Sequence, residues 1–132
     1  MKEHKCALII FHEKNKILLQ DRRQISKHGE EWGFFGGHRE KRETPEQALV
    51  REVKEELDYP LKDYKFFKRY NLQLDKNNKI DHYVYLAPLP PSSKLKQLEG
   101  HNMELFTFKE AKKLKMVNGD DIILNDLEKY FR

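Results

Sequence analysis

The chain has little cysteine and no long apolar run. Its one cysteine, Cys6, cannot form a disulfide within the chain, which is typical of proteins from the reducing cytoplasm. The longest apolar run near the start, residues 6–11, is too short for a signal-peptide core or a membrane span. We therefore expect a soluble cytoplasmic protein that makes no membrane contact. The length of 132 residues suits a single domain, residues 1–132.

Motifs for nucleic-acid binding are also missing. There is no zinc-finger spacing, no aromatic RNA-binding signature and no basic tail. The net charge is +4, but the 26 basic residues are scattered among 22 acidic ones. We expect no specific nucleic-acid partner. A mild positive field would also help an enzyme to attract polyphosphates, so the charge alone does not separate the two functions.

One helix is clearly delimited in the sequence. Thr44 is a good N-cap, Pro45 suits the first helical position, and Gln47 completes a capping box with Thr44. At the other end, Asp58 can adopt the left-handed conformation and Pro60 prevents continuation. These signals predict a helix from about residue 45 to residue 57.

Three glutamates share one narrow face of this predicted helix. At about 100° per residue, Glu55 and Glu56 lie on either side of Glu52. Arg51 can reach Glu55, but we expect it to project from a different side and not to neutralise all three carboxylates. A hard divalent cation satisfies oxygen ligands at this density. The alternative is a solvated acidic helix face, since 36% of the chain is charged.

The frame around these glutamates resembles the signature of the Nudix hydrolases, which cleave nucleoside diphosphates linked to another moiety. Gly37, Glu43 and residues 51–57 (REVKEEL) match at the family's spacing, and the match covers residues 37–59. Asp58 replaces the usual glycine, and Phe35 stands where a proline is common. The resemblance implies an α/β fold, an α/β/α sandwich with a mixed β-sheet.

The resemblance also implies roles for the signature residues. The metal ligands would be Glu52, Glu55, Glu56 and the backbone carbonyl of Gly36, and the ion would be Mg²⁺ or Mn²⁺. Arg51 would orient the glutamates through hydrogen bonds. The other residues given catalytic roles by resemblance are Glu55, Glu56 and Glu43, the last as support near metal or water. As alternatives, Glu43 is a carboxylate favoured by the helix dipole and the Gly36–Gly37 pair is an ordinary loop.

Residues outside the signature are less determined. Glu99 is the first candidate for the general base, and Glu104 and His101 are alternatives. For each of them, an ordinary loop residue is an equally good interpretation. Arg22 lies where related enzymes place a phosphate-contacting arginine, with an ordinary surface arginine as the alternative.

Three aromatic residues are candidates for stacking on a nucleobase or for core packing: Trp32, Phe34 and Phe106. Residues 32–37 resemble the corresponding segment of enzymes that remove oxidised nucleoside triphosphates. We therefore expect magnesium-dependent hydrolysis of a nucleoside triphosphate, with a small nucleotide as substrate and a monomer or homodimer as the assembly. A nucleotide-sugar or ADP-ribose hydrolase, or a non-catalytic nucleotide- or RNA-binding module, would retain the same fold.

Hydrophobic patterns predict the remaining elements. Strands are expected at residues 7–11, 16–20, 64–70, 80–87 and 103–108, and a helix near residues 109–114. Asp120 and Asp121 are expected to cap a final helix that buries Ile122, Ile123, Leu127 and Tyr130 or Phe131.

Overall fold

The computed structural model describes residues 1–96 and 102–132. Its strands are β1 (Lys2–Glu13), β2 (Lys16–Asp21), β3 (Trp32–Gly33), β4 (Phe35–His38), β5 (Lys65–Gln73), β6 (Asn78–Pro88) and β7 (Asn102–Thr107). Its α-helices are α1 (Pro45–Leu57), α2 (Phe108–Ala111) and α3 (Asp120–Tyr130), and Ser92–Lys94 form a 3-10 turn. No helix within these two ranges is long and apolar enough to span a bilayer.

All the strands belong to one mixed sheet. The order is β3-β2-β1-β6-β5, while β4 also pairs with β1 and β7 with β2. β1 and β6 are parallel, from Lys2 opposite Asn78 to His12 opposite Pro88, and the other pairs are antiparallel. The sheet therefore confirms the mixed topology expected from the sequence.

Helices cover both faces of this sheet. Alternate residues of β1 point to opposite faces, so each face has its own apolar side chains for a helix to pack on. Ala7, Ile9 and Phe11 pack with Leu49 and other residues of α1. On the opposite face, the core contains members of β1, α2 and α3, namely Cys6, Leu8, Ile10, Phe108, Ala111, Ile123, Leu124 and Leu127. The two cores confirm the α/β/α sandwich.

Some element predictions are wrong in detail. The short strands β3 and β4 were not predicted. The N-cap of α3 is Gly119, whose φ is 97°, and no side chain caps the helix; Asp120 is instead its first residue. Of the residues expected on the buried face of α3, Ile123 and Leu127 are buried and Phe131 packs against the core, whereas Ile122 is 40% exposed and Tyr130 47% exposed. Leu124 takes the buried position between Ile123 and Leu127.

Candidate active site

Local capping fixes the helix that carries the glutamates. The Thr44 hydroxyl accepts a hydrogen bond from the Gln47 backbone N–H at 3.1 Å, and the Gln47 side chain accepts one from the Thr44 N–H at 2.9 Å. At the end of α1, Asp58 adopts the left-handed conformation with φ 50° and ψ 39°. The predicted start and end of α1 are therefore confirmed.

The two glycines of β4 bring the strand close to α1. The Gly36 N–H donates to Glu56 Oε1 at 2.8 Å. A Cβ on Gly36 would lie 2.8 Å from Leu8 Cα, and the residue has a φ of 128° that side chains rarely allow. A Cβ on Gly37 would lie 2.6 Å from Glu52 Oε2. The β1 backbone therefore requires glycine at position 36, and glycine at position 37 lets the Glu52 carboxylate approach β4.

Arg51 connects three of the acidic residues. Its Nε and Nη2 donate to the two carboxylate oxygens of Glu43 at 2.7 and 2.8 Å. Its Nη1 donates to Glu52 at 2.9 Å and to Glu55 at 3.4 Å. The expectation that Arg51 projects away from this face is therefore wrong for Glu52, although none of these bonds reaches Glu56.

The same contacts set the charge of the Arg51–Glu43 pair. The hydrogen bonds from Arg51 lower the pKa of Glu43 to about 2, with help from the Glu40 backbone N–H. The hydrogen bond to Glu43 is also the main cause that raises the pKa of Arg51, which remains a cation. Arg51 Nη2 also donates to the His38 carbonyl at 3.0 Å, which ties the end of β4 to α1.

The donor set fits a hard divalent cation in its chemistry. Glu52, Glu55 and Glu56 are oxygen donors on one helix face, and Gly36 and Gly37 lie against that face without side chains. In the described residues, no three acidic, histidine or cysteine side chains are already arranged as a metal site. Glu56 is nearly buried and accepts a hydrogen bond from the Gly36 N–H, and Glu52 accepts one from Arg51.

Of the three candidate general bases, the described part of the chain contains Glu104. Glu99 and His101 lie outside the described residues. Glu104 is exposed on β7, opposite Leu19 of β2. Its neighbour at alternate spacing, Phe106, packs on the core covered by α3. Glu104 therefore points to the sheet face away from α1.

Arg22 is already engaged within the protein. Its Nε donates to Glu30 at 2.8 Å and its Nη1 to Gln20 Oε1 at 2.8 Å. Gly33 leaves room for this side chain, because a Cβ there would lie 2.6 Å from Arg22 Cδ. Glu30 also accepts from the Ser26 hydroxyl. Although burial favours the neutral acid, these hydrogen bonds lower the pKa of Glu30 to about 2.

The candidate stacking residues differ in exposure. Phe34 is 7% exposed and belongs to the core on the α3 side, so little of its ring is available to a ligand. Trp32 is half-buried and makes an edge contact with Phe106 at 4.9 Å. The Arg23 guanidinium lies 5.7 Å from the Trp32 ring. Trp32 is thus the more accessible of the two proposed substrate-contacting aromatics.

Two contributors to the site were missed in the sequence. The His38 carbonyl and Glu40 support Arg51, the latter at 3.8 Å. Their positions depend on the path of residues 38–44, which carries no periodic signal. The available indication was that His38 directly follows the glycine pair and that Glu40 lies three residues after Gly37.

Comparisons with known proteins identify the family of the chain. The NUDIX domain family model matches residues 2–127. The 8-oxo-dGTP diphosphatase of Proteus vulgaris is 43% identical over 56 residues, which are 42% of this chain and 50% of that protein. The match thus spans half the length of that relative.

Solved structures show the same fold. A MutT Nudix hydrolase from Burkholderia pseudomallei has a TM-score of 0.73 at 20% identity, covering 96% of this chain and 98% of that one. The ORF135 protein of E. coli has a TM-score of 0.77 at 24% identity, covering 98% and 91%. With a family model that matches nearly its whole length, the chain belongs to the Nudix family.

Proposed function

We propose that this chain is a metal-dependent hydrolase that cleaves a phosphoanhydride bond in a nucleoside diphosphate linked to another moiety. The observation that carries the proposal is the close approach of Gly36 and Gly37 to Glu56 and Glu52. The preferred substrate is a nucleoside triphosphate, cleaved as a pyrophosphohydrolase would cleave it. The relative from Proteus vulgaris supports an oxidised purine nucleotide as the first substrate to test.

Nudix hydrolases generally use divalent metal ions, and we propose Mg²⁺ here, with Mn²⁺ as a substitute. Glu52, Glu55, Glu56 and the Gly36 carbonyl would hold it. When bound, the ion would neutralise phosphate oxygens and lower the pKa of water.

Arg51 orients the glutamates of the site. Arg51 grips Glu43 through two hydrogen bonds and holds Glu52 and Glu55 with its remaining nitrogen. This planar fork holds the carboxylates in position before the substrate arrives. We assign Arg51 and Glu43 as positioning residues for the glutamates on α1.

Other parts of the proposal rest on the sequence. Glu99 is proposed as the general base, which takes a proton from the attacking water. Arg22 is proposed to contact phosphate, and the more exposed Trp32 to contact the base. The cytoplasmic location and the monomeric or homodimeric state remain predictions.

A nucleotide panel with matched variants tests the activity. The panel contains ordinary and oxidised nucleoside triphosphates, nucleotide sugars, ADP-ribose and dinucleoside polyphosphates, each with Mg²⁺ and with EDTA. Glu56→Gln retains an oxygen that accepts the Gly36 N–H, so the fold should survive. We expect kcat/KM to fall at least about a hundredfold in this variant. Glu46→Gln is the matched control on the same helix, because Glu46 bonds Tyr64 and not the β4 glycines.

Product identification decides between the family's substrate classes. Release of pyrophosphate and a nucleoside monophosphate from a triphosphate supports the proposal, and water labelled with oxygen-18 shows which phosphorus is attacked. Cleavage confined to ADP-ribose or nucleotide sugars would replace the substrate class. No turnover of any panel member, or equal turnover by Glu56→Gln, would refute the enzyme. Tight nucleotide binding that is insensitive to EDTA would instead indicate a binding module.

A further inference from the structure

Four of the six histidines lie together beside β1. His38 of β4 and His82 of β6 are the Cα partners of Cys6 on its two sides. His4 precedes Cys6 by two residues, so it points to the same sheet face. His28 reaches the group from the segment that follows β2. We call His4, His28, His38 and His82 the histidine cluster.

Three rings of the histidine cluster lie near one another. The His4 ring centroid lies 6.1 Å from that of His28 and 6.2 Å from that of His38. With metal–nitrogen bonds of about 2.0–2.1 Å and tetrahedral angles, two imidazoles on one ion have ring centroids roughly 5.2 Å apart. Both separations exceed that value by about 1 Å, so the rings must rotate towards each other to share an ion.

The hydrogen bond of His4 leaves its other nitrogen available as an acceptor. His4 Nε2 lies 3.0 Å from Asn78 Oδ1. Because an amide oxygen only accepts, Nε2 carries a proton in this bond, and in the neutral ring Nδ1 then has the free lone pair. Ligating histidines commonly donate their second N–H to an oxygen in this way. Asn78 thus holds His4 in the tautomer that binds a metal through Nδ1.

His82 provides a second, independent indication. It is 8% exposed, and its Nδ1 is buried with no hydrogen-bond partner among residues 1–96 and 102–132. Burial lowers the pKa of His82 to about 4, with smaller contributions from His4 and His38, so the ring is neutral at pH 7. A buried polar nitrogen without a partner is costly in an ordinary core.

We propose that the histidine cluster binds one transition-metal ion of the zinc, nickel or copper type through nitrogens of His4, His28, His38 and His82. Imidazole nitrogens select these ions over Mg²⁺, which distinguishes the cluster from the oxygen donors of α1. In the described residues, the imidazole nitrogens of the cluster are not arranged around a single metal position, so binding requires side chains to rotate. His28 and His38 are exposed and can turn towards His4.

Zinc titration of the untagged full chain tests the proposal. The solution contains excess Mg²⁺, and the ¹⁵N signals of the imidazoles are followed by NMR. We expect one Zn²⁺ per chain to shift the nitrogens of His4, His28 and His38, while those of His12 stay in place. His12 is an internal reference because its ring packs on Phe131 at 4.6 Å.

Variants provide the second measurement. Zn²⁺ affinity should fall at least about tenfold in His4→Gln and in His28→Gln, and should be unchanged in His12→Gln. His28 is exposed, so its variant tests binding even if His4→Gln fails to fold. Equal affinities in all three variants, or Zn²⁺ shifts that spare the cluster, would overturn the proposal. Neither readout depends on hydrolysis, so the result is separate from that of the nucleotide panel.

Discussion

At the scale of single residues, Gly37 of strand β4 lies against the Glu52 carboxylate of helix α1. A side chain there would meet the terminal carboxylate of Glu52, whereas one on Gly36 would meet the backbone of β1. The two adjacent glycines therefore have different roles. Gly36 allows the pairing of β4 with β1, and Gly37 leaves room for Glu52, a proposed metal ligand.

Gly37→Ala should consequently damage activity more than stability. The displaced atoms are the far end of a flexible side chain, so we expect the melting temperature to change by only about 2–3 °C. Moving the carboxylate by about 1 Å should lower kcat/KM roughly a hundredfold and raise the Mg²⁺ concentration needed for half-maximal activity. Steady-state kinetics and calorimetry measure these quantities.

A double-mutant cycle identifies the cause. In a Glu52→Ala background the contact no longer exists, so Gly37→Ala should add little further loss. Full additivity of the two effects would show that Gly37 acts through something other than Glu52.

At the scale of elements, the end of α1 depends on the left-handed backbone of Asp58. Asp58 also pairs with Lys54 at 2.6 Å, but that pair is exposed and contributes little. Its conformation costs a residue with a Cβ about 1–2 kcal/mol, while aspartate tolerates it better than most and glycine adopts it freely.

The variants Asp58→Ala and Asp58→Gly separate these contributions, since both lose the Lys54 pair. We expect Asp58→Ala to be less stable than Asp58→Gly by about 1 kcal/mol, as measured by urea unfolding. Asp58→Gly should stay within about 0.5 kcal/mol of the parent. Equal stability of both variants would mean that the helix end rearranges when the aspartate is removed.

Elements with local signals could be predicted from the sequence. The capping box of Thr44 and the turn at Asp58 are fixed by residues that touch along the chain, and α1 was predicted at both ends. β4 has four residues and depends on pairing with β1, which no local pattern encodes. The N-cap of α3 was misplaced because Gly119 starts the helix through its backbone conformation, without a capping side chain.

The candidate site follows the same division. The common face of Glu52, Glu55 and Glu56 follows from helical periodicity alone. The bond from Arg51 to Glu43 spans eight residues and depends on how the loop before α1 folds back. For Phe34 the sequence left stacking on a ligand and core packing open, and the side chain packs in the core, a contact that depends on tertiary structure.

At the scale of the whole molecule, one buried acid opposes stability at neutral pH. Burial raises the pKa of Asp120 to about 8, and the carboxylates of Asp121 and Glu30 add to the effect. The ordinary value in the unfolded chain is 3.8. Because the folded state holds this proton more tightly, the contribution of Asp120 to stability is complete below pH 3.8 and is lost as the pH rises towards 8.

Asp120→Asn should therefore be more stable than the parent at pH 8, by roughly 5 °C in melting temperature, and the gain should shrink towards pH 4. Asp126→Asn is the matched control, because a hydrogen bond from Tyr70 lowers the pKa of Asp126. Its loss of stability should be largest at neutral pH and should fade in acid. Melting curves between pH 4 and pH 8 test both signs, and parallel curves for the two variants would contradict the assignment.

The parallel pairing of β1 with β6 has a consequence for how the chain folds. Each contact in that ladder joins residues 76 positions apart, beginning with Lys2 and Asn78. Such contacts carry a large loop-closure entropy and slow the search for the native topology. During synthesis, β1 and the glycines of β4 must wait for residues 78–88 to leave the ribosome before the central pairing of the sheet can form. Helix α1 can form early. It can pack against β4 in a complete sheet only after β6 has been synthesised.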